Sequence, residues 1–575
     1  MKKGSGSSSG GLTKAATIAG LVVFALAAAY TLFGDNFRKL SGASAAALAG
    51  EDSAMMRHEN VASASSLQKK TMKSFGANNA YDTGAPSPSY AAAPPPPPSP
   101  VAARATLPSE PLPTGNTHAA QRPNPFTLTS EDNLSTFAVD VDTASYALFR
   151  NYVKGGSLPP RDSVRVEEWV NYFRYRLPAP TEGDFRVDLE GAPSPFTQGR
   201  HLIKVGLQGR KIGKSQRKPT HLVFLADTSG SMGQPDKLPL AQRAMKLMVD
   251  GLNEDDTVAL VTYAGSVRDV LPPTKASERQ KLFDAIDALT SGGGTAMGDG
   301  LKIAYQHAVK NAGPKTVARV IVLTDGDTNL GQFQTADAML ESIRGYVQEG
   351  VTLSTIGFGM GNYRDDLMER LANKGNGNSY YIDSDKEARR VFQEQLGGTL
   401  EVIAKDVKVQ VEFDKAAVRG YRLLGYENRA IADQDFRNDK VDAGEIGAGH
   451  TVTALYEVEL TGEGTKVATV RVRAKTPSGS EAAEQSFAFP REQLHAKLTN
   501  ASADMRFATA VAGTADMLRG APQASDWSLA VAEDLAEGAV EGMDDRAEFV
   551  KLLRRVREAK MLNVSTGYTT HSNPY

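Results

Sequence analysis

Residues 221–233, HLVFLADTSGSMG, decide the fold and point to a site within it. The apolar run is typical of a buried strand, and it stops at Asp227. Two small hydroxyl residues, Ser229 and Ser231, follow at alternate positions. A cap on a following helix would account for one of these three polar side chains but not for all of them. The stretch therefore predicts a strand whose carboxyl end carries a ligand site.

Strand and helix patterns alternate from residue 221 to about residue 400. The predicted strands are rich in Val, Ile, Leu and Tyr, and several of the intervening helices end at glycine. The strand sequences are HLVFLAD, DTVALVTYA, SVRDVL, ARVIVLTDG, VTLSTIGFG and NSYYID. Near-continuous apolar strands alternating with helices indicate an α/β fold with a Rossmann-like, mostly parallel sheet covered by helices on both faces. Ligands of such sheets bind beyond the carboxyl ends of the strands.

Strand patterns of a different kind lie on both sides of this region. FRVDLEGAPSPF and HLIKVGLQG precede it, and VKVQVEF, TVTALYEVEL, TKVATVRVRAK and EQSFAFP follow it. Their alternating apolar residues predict a β-sandwich built from segments on both sides of the α/β domain. Helical periodicity beyond residue 491 predicts a C-terminal helical region packed on that sandwich. Trp169, Tyr172 and Phe173, at helical spacing, are predicted to pack in a core.

Two further loops should reach the same edge of the sheet as Asp227. SGGGTAMGDG places Thr295 ahead of a helix, and VLTDGD places Asp325 at the end of a strongly apolar strand. The three loops together offer two carboxylates and three hydroxyls, without imidazole or thiol groups. Such a set suits a hard divalent cation, with Mg²⁺ the natural choice and Mn²⁺ or Ca²⁺ as alternatives. The predicted metal ligands are Asp227, Ser229, Ser231, Thr295 and Asp325.

This combination resembles the von Willebrand factor type A (VWA) domain, whose metal-ion-dependent adhesion site (MIDAS) uses D-x-S-x-S, a threonine and an aspartate from three loops. The resemblance implies that Ser229, Ser231 and Thr295 coordinate the metal directly, whereas Asp227 and Asp325 act directly or through water. The regions around residues 133–175 and after residue 380 resemble those flanking this domain in a group of bacterial envelope proteins. Some of those proteins are lipoproteins, but this chain has no cysteine and would need a different anchor.

Composition, the strand and helix patterns and the VWA resemblance together divide the 575 residues into six predicted segments. They are a cytoplasmic stub with a membrane anchor (1–33), a disordered Ala/Ser/Pro-rich linker (34–121), an N-terminal VWA-associated region (122–215), the VWA domain (216–400), the β-sandwich region (401–490) and the C-terminal helical region (491–575). The linker contains the run APSPSYAAAPPPPPSP, which favours a stiff polyproline tether.

The amino-terminal segment predicts export of most of the chain. Lysines at positions 2, 3 and 14 precede the uncharged segment 15–33, which as a helix is about long enough to cross a membrane. The positive-inside rule then leaves the bulk of the chain periplasmic or extracellular, held in the cytoplasmic membrane by a single pass. A cleaved signal peptide is the alternative, because ALAAAY offers small residues for cleavage.

Two classes of function fit these features. The first is a binding module in which Mg²⁺ captures an Asp or Glu side chain of a partner protein, with loops 233–238, 297–299 and 327–333 adding contacts. The second is a metal-dependent hydrolase acting on phosphoesters or peptides in the envelope. We favour binding and predict no catalytic residue, because no loop supplies a convincing general base beside the cation. The net charge of −2 gives no reason to expect a nucleic-acid partner.

Overall fold

The computed structural model describes residues 116, 118–294, 297–313, 315–326, 336–361, 363–396, 400–441, 443–477, 479 and 481–567. These residues all belong to the second of two compact units, Thr106–Tyr575. The predicted anchor and most of the predicted linker lie outside the described residues. Within the described ranges, no helix combines the length and the apolar composition needed to cross a membrane.

Strands and helices occupy most of this unit. The strands are β1 (Thr127–Leu128), β2 (Leu134–Ala138), β3 (Phe185–Pro193), β4 (Arg200–Gly209), β5 (Thr220–Asp227), β6 (Thr257–Tyr263), β7 (Val267–Lys275), β8 (Val317–Thr324), β9 (Val351–Phe358), β10 (Ser379–Ile382), β11 (Val402–Phe413), β12 (Val418–Leu424), β13 (Ile446–Gly447), β14 (Thr451–Leu460), β15 (Lys466–Lys475) and β16 (Ala482–Pro490). The α-helices are α1 (Ala144–Lys154), α2 (Val166–Tyr172), α3 (Leu238–Asp250), α4 (Arg279–Asp287), α5 (Met297–Val309), α6 (Ala336–Gln348), α7 (Asp365–Lys374), α8 (Asp385–Arg389), α9 (Ala503–Arg519), α10 (Leu529–Glu537) and α11 (Asp544–Gly567).

A six-stranded sheet forms the α/β domain, with the strand order β10-β9-β8-β5-β6-β7. Neighbouring strands are parallel except at the edge, where β7 runs antiparallel to β6. Apolar residues of α5 and α7 cover one face, and those of α3 and α4 cover the other. Burial on both faces explains why strands such as HLVFLAD are almost continuously apolar. The prediction of a mostly parallel sheet between two helical layers is confirmed.

Two antiparallel sheets form the predicted β-sandwich. One has the order β1-β12-β14-β4-β3; the other has the order β13-β11-β15-β16, with β2 paired to β11. Val205 and Val458 of the first sheet share one core with Val409 and Val470 of the second. The chain leaves the sandwich after β4 and returns at β11, so the α/β domain interrupts it as predicted.

The C-terminal helices pack on the outer face of the sandwich. Phe507 of α9 and Phe549 of α11 meet Phe173 edge to face, with ring centroids 4.9 and 5.6 Å away. The same core contains Leu202 of β4 and Leu455 of β14. The predicted helical layer is therefore present, and Trp169, Tyr172 and Phe173 are buried in its core as expected.

Buried ion pairs join the N-terminal region to the α/β domain. Arg165, just before α2, lies 2.8 Å from Asp365 and 3.0 Å from Glu369, both on α7. Arg150 of α1 pairs with Asp383, just after β10, and with Glu387 of α8. A buried charge needs an oppositely charged partner close to it. These ion pairs therefore hold the α/β domain to the N-terminal region, in addition to the apolar contacts between them.

Candidate metal centre

Four of the five predicted ligand residues are described, and they lie at the carboxyl edge of the six-stranded sheet. Asp227 is the last residue of β5, Ser229 and Ser231 follow it, and Asp325 follows β8. Strands β5 and β8 are adjacent and parallel, so their carboxyl ends meet. Their loops are linked directly, because the Thr324 hydroxyl donates a hydrogen bond of 2.9 Å to Asp227 Oδ2.

The two serine hydroxyls stand side by side. Ser229 Oγ and Ser231 Oγ are 3.0 Å apart, whereas adjacent ligands of an octahedral Mg²⁺ with bonds of about 2.1 Å would be about 3 Å apart. Both Asp227 oxygens accept hydrogen bonds, since Ser229 N donates to Oδ1 at 2.8 Å while Thr324 occupies Oδ2. This arrangement suits direct coordination by the serines and a water-mediated role for Asp227.

Thr295 lies outside the described residues, but the loop leading to it is described as far as residue 294. Gly292 N donates to the Thr228 carbonyl at 2.8 Å, and Gly230 N donates to the Gly293 carbonyl at 3.1 Å. Gly293 has a φ of +85°, which favours glycine, and an added Cβ there would lie 3.2 Å from Gly265 N. The second loop is therefore tied to the serine loop two residues before Thr295.

The electrostatics of this edge favour a cation. Burial is the main cause that raises the pKa of Asp227 to about 6; hydrogen bonds from Ser229 and Thr324 oppose the increase, and the charge of Asp325 adds to it. Both carboxylates are almost fully buried. Two ionised carboxylates close together in such a place need positive charge nearby, and a divalent cation would supply it.

One positive charge near these carboxylates belongs to a residue that sequence reasoning missed. Lys237 Nζ lies 2.8 Å from Asp325 Oδ2, with 8% of the Lys237 side chain exposed. A Cβ on Gly359, whose φ is +68°, would lie 2.4 Å from Lys237 Cε. Only glycine leaves room for the lysine stem there. In the sequence, the only sign of this role was the position of the lysine, ten residues after Asp227 in the loop 233–238 that we expected to contact a partner.

The donor set fits a hard cation. Among the residues that the structure describes, no three His, Cys, Asp or Glu side chains are grouped to hold a metal. The two serine hydroxyls and the two carboxylates at this edge are hard oxygen donors, the kind that Mg²⁺ prefers. His307 of α5 is engaged by the edge strand, because its Nε2 lies 2.9 Å from Asp269 Oδ2 of β7.

Comparison with known proteins shows which family the chain belongs to. The protein described as "Uncharacterized protein YfbK" from Escherichia coli K12 is 38% identical over 463 residues, which cover 75% of this chain and 79% of that protein. The chain belongs to the YfbK family. The family described as "Uncharacterized protein YfbK, C-terminal" matches residues 398–467 and 462–559.

The match to the VWA domain is equally direct. The family described as "von Willebrand factor type A domain" matches residues 221–395 of this YfbK family chain, and "von Willebrand factor" matches residues 113–204. The chain thus carries a VWA domain.

More distant relatives cover less of the chain. Protein sll0103 of Synechocystis is 28% identical over 205 residues, which cover 36% of this chain and 46% of that protein. A structure of von Willebrand factor type A from Catenulispora acidiphila aligns at 20% identity and a TM-score of 0.41, covering 66% of this chain and 91% of that one.

The surroundings of the edge modify one expectation about partner contacts. Residues 233–236 are exposed, but Lys237 and Leu238 are buried. Met297 and Gly298 are also buried, at the start of α5, so residues 297–299 offer much less surface than expected. Residues 327–333 lie outside the described ranges. Of the three loops expected to contact a partner in this YfbK family member, the loop 233–238 therefore supplies the exposed described residues, at positions 233–236.

Lys237→Met is expected to raise the affinity for Mg²⁺ about tenfold and to lower the melting temperature in chelator. A cation bound by Asp325 must share this carboxylate with the ammonium group, and the same group balances Asp325 when no cation is bound. Calorimetric titration and thermal unfolding of the full chain measure the two effects. Lys246→Met, on α3 with its partner Asp287 near the surface, is the matched control. Equal Mg²⁺ affinities of Lys237→Met and wild type would contradict the sharing of Asp325.

Proposed function

We propose that the chain is an exported, membrane-anchored binding protein whose VWA domain uses Mg²⁺ to capture a carboxylate of a partner protein. Asp227, Ser229, Ser231, Thr295 and Asp325 would hold the cation, directly or through water. The observation that carries this proposal is the pair of serine hydroxyls 3.0 Å apart beside two buried carboxylates. Capture of a partner by this chain extends the adhesion role implied by the VWA resemblance.

The proposed ligands explain why a carboxylate would be captured. Neutral hydroxyls donate little charge, and Asp227 uses both oxygens for hydrogen bonds to Ser229 and Thr324. Asp325 shares its charge with Lys237. A cation held in this way keeps much of its positive charge and attracts an anionic oxygen to its outward side.

A single metal–carboxylate bond does not select a partner by itself. Stable protein interfaces bury on the order of 1,000 Å² or more, so the partner must also contact the surface around the metal. Residues 233–236 are exposed beside the serine loop and are suited to this role. The anchor predicted for residues 15–33 and the linker predicted for residues 34–121 would present this surface at a distance from the membrane.

Crosslinking of the full chain in its native membrane tests the proposal. Samples are prepared with millimolar Mg²⁺ or with EDTA, and the captured proteins are identified by mass spectrometry. We expect at least one partner that is captured with Mg²⁺ and lost with EDTA. Replacing surface Asp and Glu of that partner by Asn and Gln should abolish its capture, whereas replacing its surface Lys should not.

Identical crosslinked products with Mg²⁺ and with EDTA would contradict a metal-dependent capture. Calorimetry on the purified chain separates the causes, because Mg²⁺ binding without metal-dependent capture leaves the metal centre intact and removes only the adhesive role.

A further inference from the structure

A polar cavity lies far from the carboxyl edge of the six-stranded sheet, where the proposed metal centre is. It measures about 100 Å³ and is lined by residues of the N-terminal region, the α/β domain and the sandwich. Arg319 marks its position in the sheet, since it is the third residue of β8 and lies six residues before Asp325. At about 3.3 Å per residue this is about 20 Å from the metal edge. The cavity therefore belongs to the opposite, amino-terminal edge of the sheet.

Arg319 is a buried cation with incomplete hydrogen bonding. Only 4% of the residue is exposed. Its Nε donates to Thr352 Oγ1 at 3.0 Å, but Nη1 is buried without a hydrogen-bond partner. Burial lowers the pKa of Arg319, and Tyr380 and Glu445 only partly oppose this effect. A guanidinium buried in this way is unfavourable unless an anion meets it.

The other charged groups of the lining do not remove the need for an anion. Arg390 is committed to Glu387, at 2.6 and 2.9 Å, and Asp140 pairs with Arg429 at 3.3 Å. Glu445 is the carboxylate that acts on Arg319, and it only partly offsets the burial of the guanidinium. His450 adds no charge at neutral pH, since burial lowers its pKa to about 4.

The size of the cavity limits what enters. A volume of about 100 Å³ holds several water molecules, which is too little for a nucleotide or a peptide. Arg319 also lines a more open cavity that includes Lys218 and Lys405. Arg319 therefore borders both cavities. A planar fork of donors matches the oxygens of a carboxylate or a phosphate.

We infer that this cavity is a binding site for a small oxyanion, a phosphate or a short carboxylate, held by the Arg319 guanidinium at the junction of the three regions. His450 and the neutral donors of the lining complete its hydrogen bonds. The site is independent of the proposed metal centre, and an anion bound there would stabilise the junction that positions the α/β domain.

Thermal unfolding of the full chain in detergent tests this inference. EDTA is present throughout, so that added anions do not act through a divalent cation, and chloride keeps the ionic strength constant. Phosphate, sulfate and succinate are titrated separately. We expect a saturable rise in melting temperature with at least one of them. Comparison of the apparent affinities for phosphate and succinate shows which class of oxyanion the site prefers.

Arg319→Met is the decisive variant. It replaces an incompletely paired buried cation by an apolar side chain of similar length, so it should be at least as stable as wild type without anion. Its apparent affinity for the preferred anion should fall at least tenfold. Arg186→Met, which removes an exposed arginine from β3, should bind the anion as wild type does.

Several results would overturn the inference. One is the lack of a saturable shift with all three anions, and another is an unchanged shift in Arg319→Met, which would show that the anions bind elsewhere. Should Arg319→Met fail to fold, calorimetric titration of wild type and of Arg319→Lys gives the answer. Lysine keeps the charge but not the planar fork, so equal affinities of these two proteins, or no binding heat in wild type, would exclude the site.

Discussion

Asp227→Asn should remove most of the stabilisation that we expect Mg²⁺ to give this protein and leave it folded in EDTA. Asn keeps the volume of the side chain and can still accept the hydrogen bond from Ser229 N, while its amide can donate to Thr324 Oγ1. Burial disfavours the ionised form of Asp227, so a neutral side chain suits the site when no cation is present. The cation loses a negative charge beside its ligands, and we expect its affinity to fall about 100-fold.

Calorimetric titration with Mg²⁺ and melting curves with Mg²⁺ or EDTA measure these two effects separately. Asp255→Asn is the matched control, because it makes the same change on a side chain that is 86% exposed. It should leave both the affinity and the melting temperatures unchanged. An Asp227→Asn protein that still gains stability from Mg²⁺ with wild-type affinity would show that the metal does not depend on this edge of the sheet.

The sequence predicts the α/β domain well because its signals are local. Each strand of the six-stranded sheet is a short apolar run, and parallel neighbours make the carboxyl ends meet, so Asp227 and Asp325 are placed together without knowledge of any side-chain contact. The antiparallel direction of β7 at the sheet edge was not specified. Thr295 lies outside the described residues, and its role as a ligand stays a prediction.

The features that sequence reasoning missed depend on contacts between distant parts of the chain. Lys237 and Asp325 are 88 residues apart in sequence, and nothing near Lys237 indicates that its side chain turns inward. Arg319 sits in an apolar strand pattern, where its burial follows only from the packing of three regions around it. Arg165 and Asp365 are likewise joined across the boundary between two predicted segments. Periodicity identifies elements, but it does not pair their charged side chains.

The second large effect concerns this boundary: Arg165→Met is expected to reduce the free energy of unfolding by about 3–5 kcal/mol at pH 7. The guanidinium faces Glu168, Asp365 and Glu369, and both Arg165 and Asp365 are almost fully buried. Removing it leaves these carboxylates with Arg429, near Glu369, and with His118, which lies 3.2 Å from Asp365. Urea unfolding at several pH values measures the loss.

The pH dependence distinguishes this mechanism from a simple packing defect. Burial favours a raised pKa for Asp365, but Arg165 and His118 outweigh it and hold the pKa below its usual range. In wild type this group therefore contributes stability above its unfolded pKa of about 3.8 and loses it as the pH falls. Without Arg165 burial prevails and the pKa of Asp365 rises, so the variant loses stability as the pH increases above about 4.

The difference between wild type and Arg165→Met should consequently be larger at pH 7 than at pH 4. Arg161→Met, a change at an exposed arginine in the same segment, should produce little loss at either pH. A packing defect would make the loss at Arg165 equal at both pH values, because no charge would be involved. That outcome would show that apolar contact, rather than the buried ion pairs, holds the VWA domain to the N-terminal region.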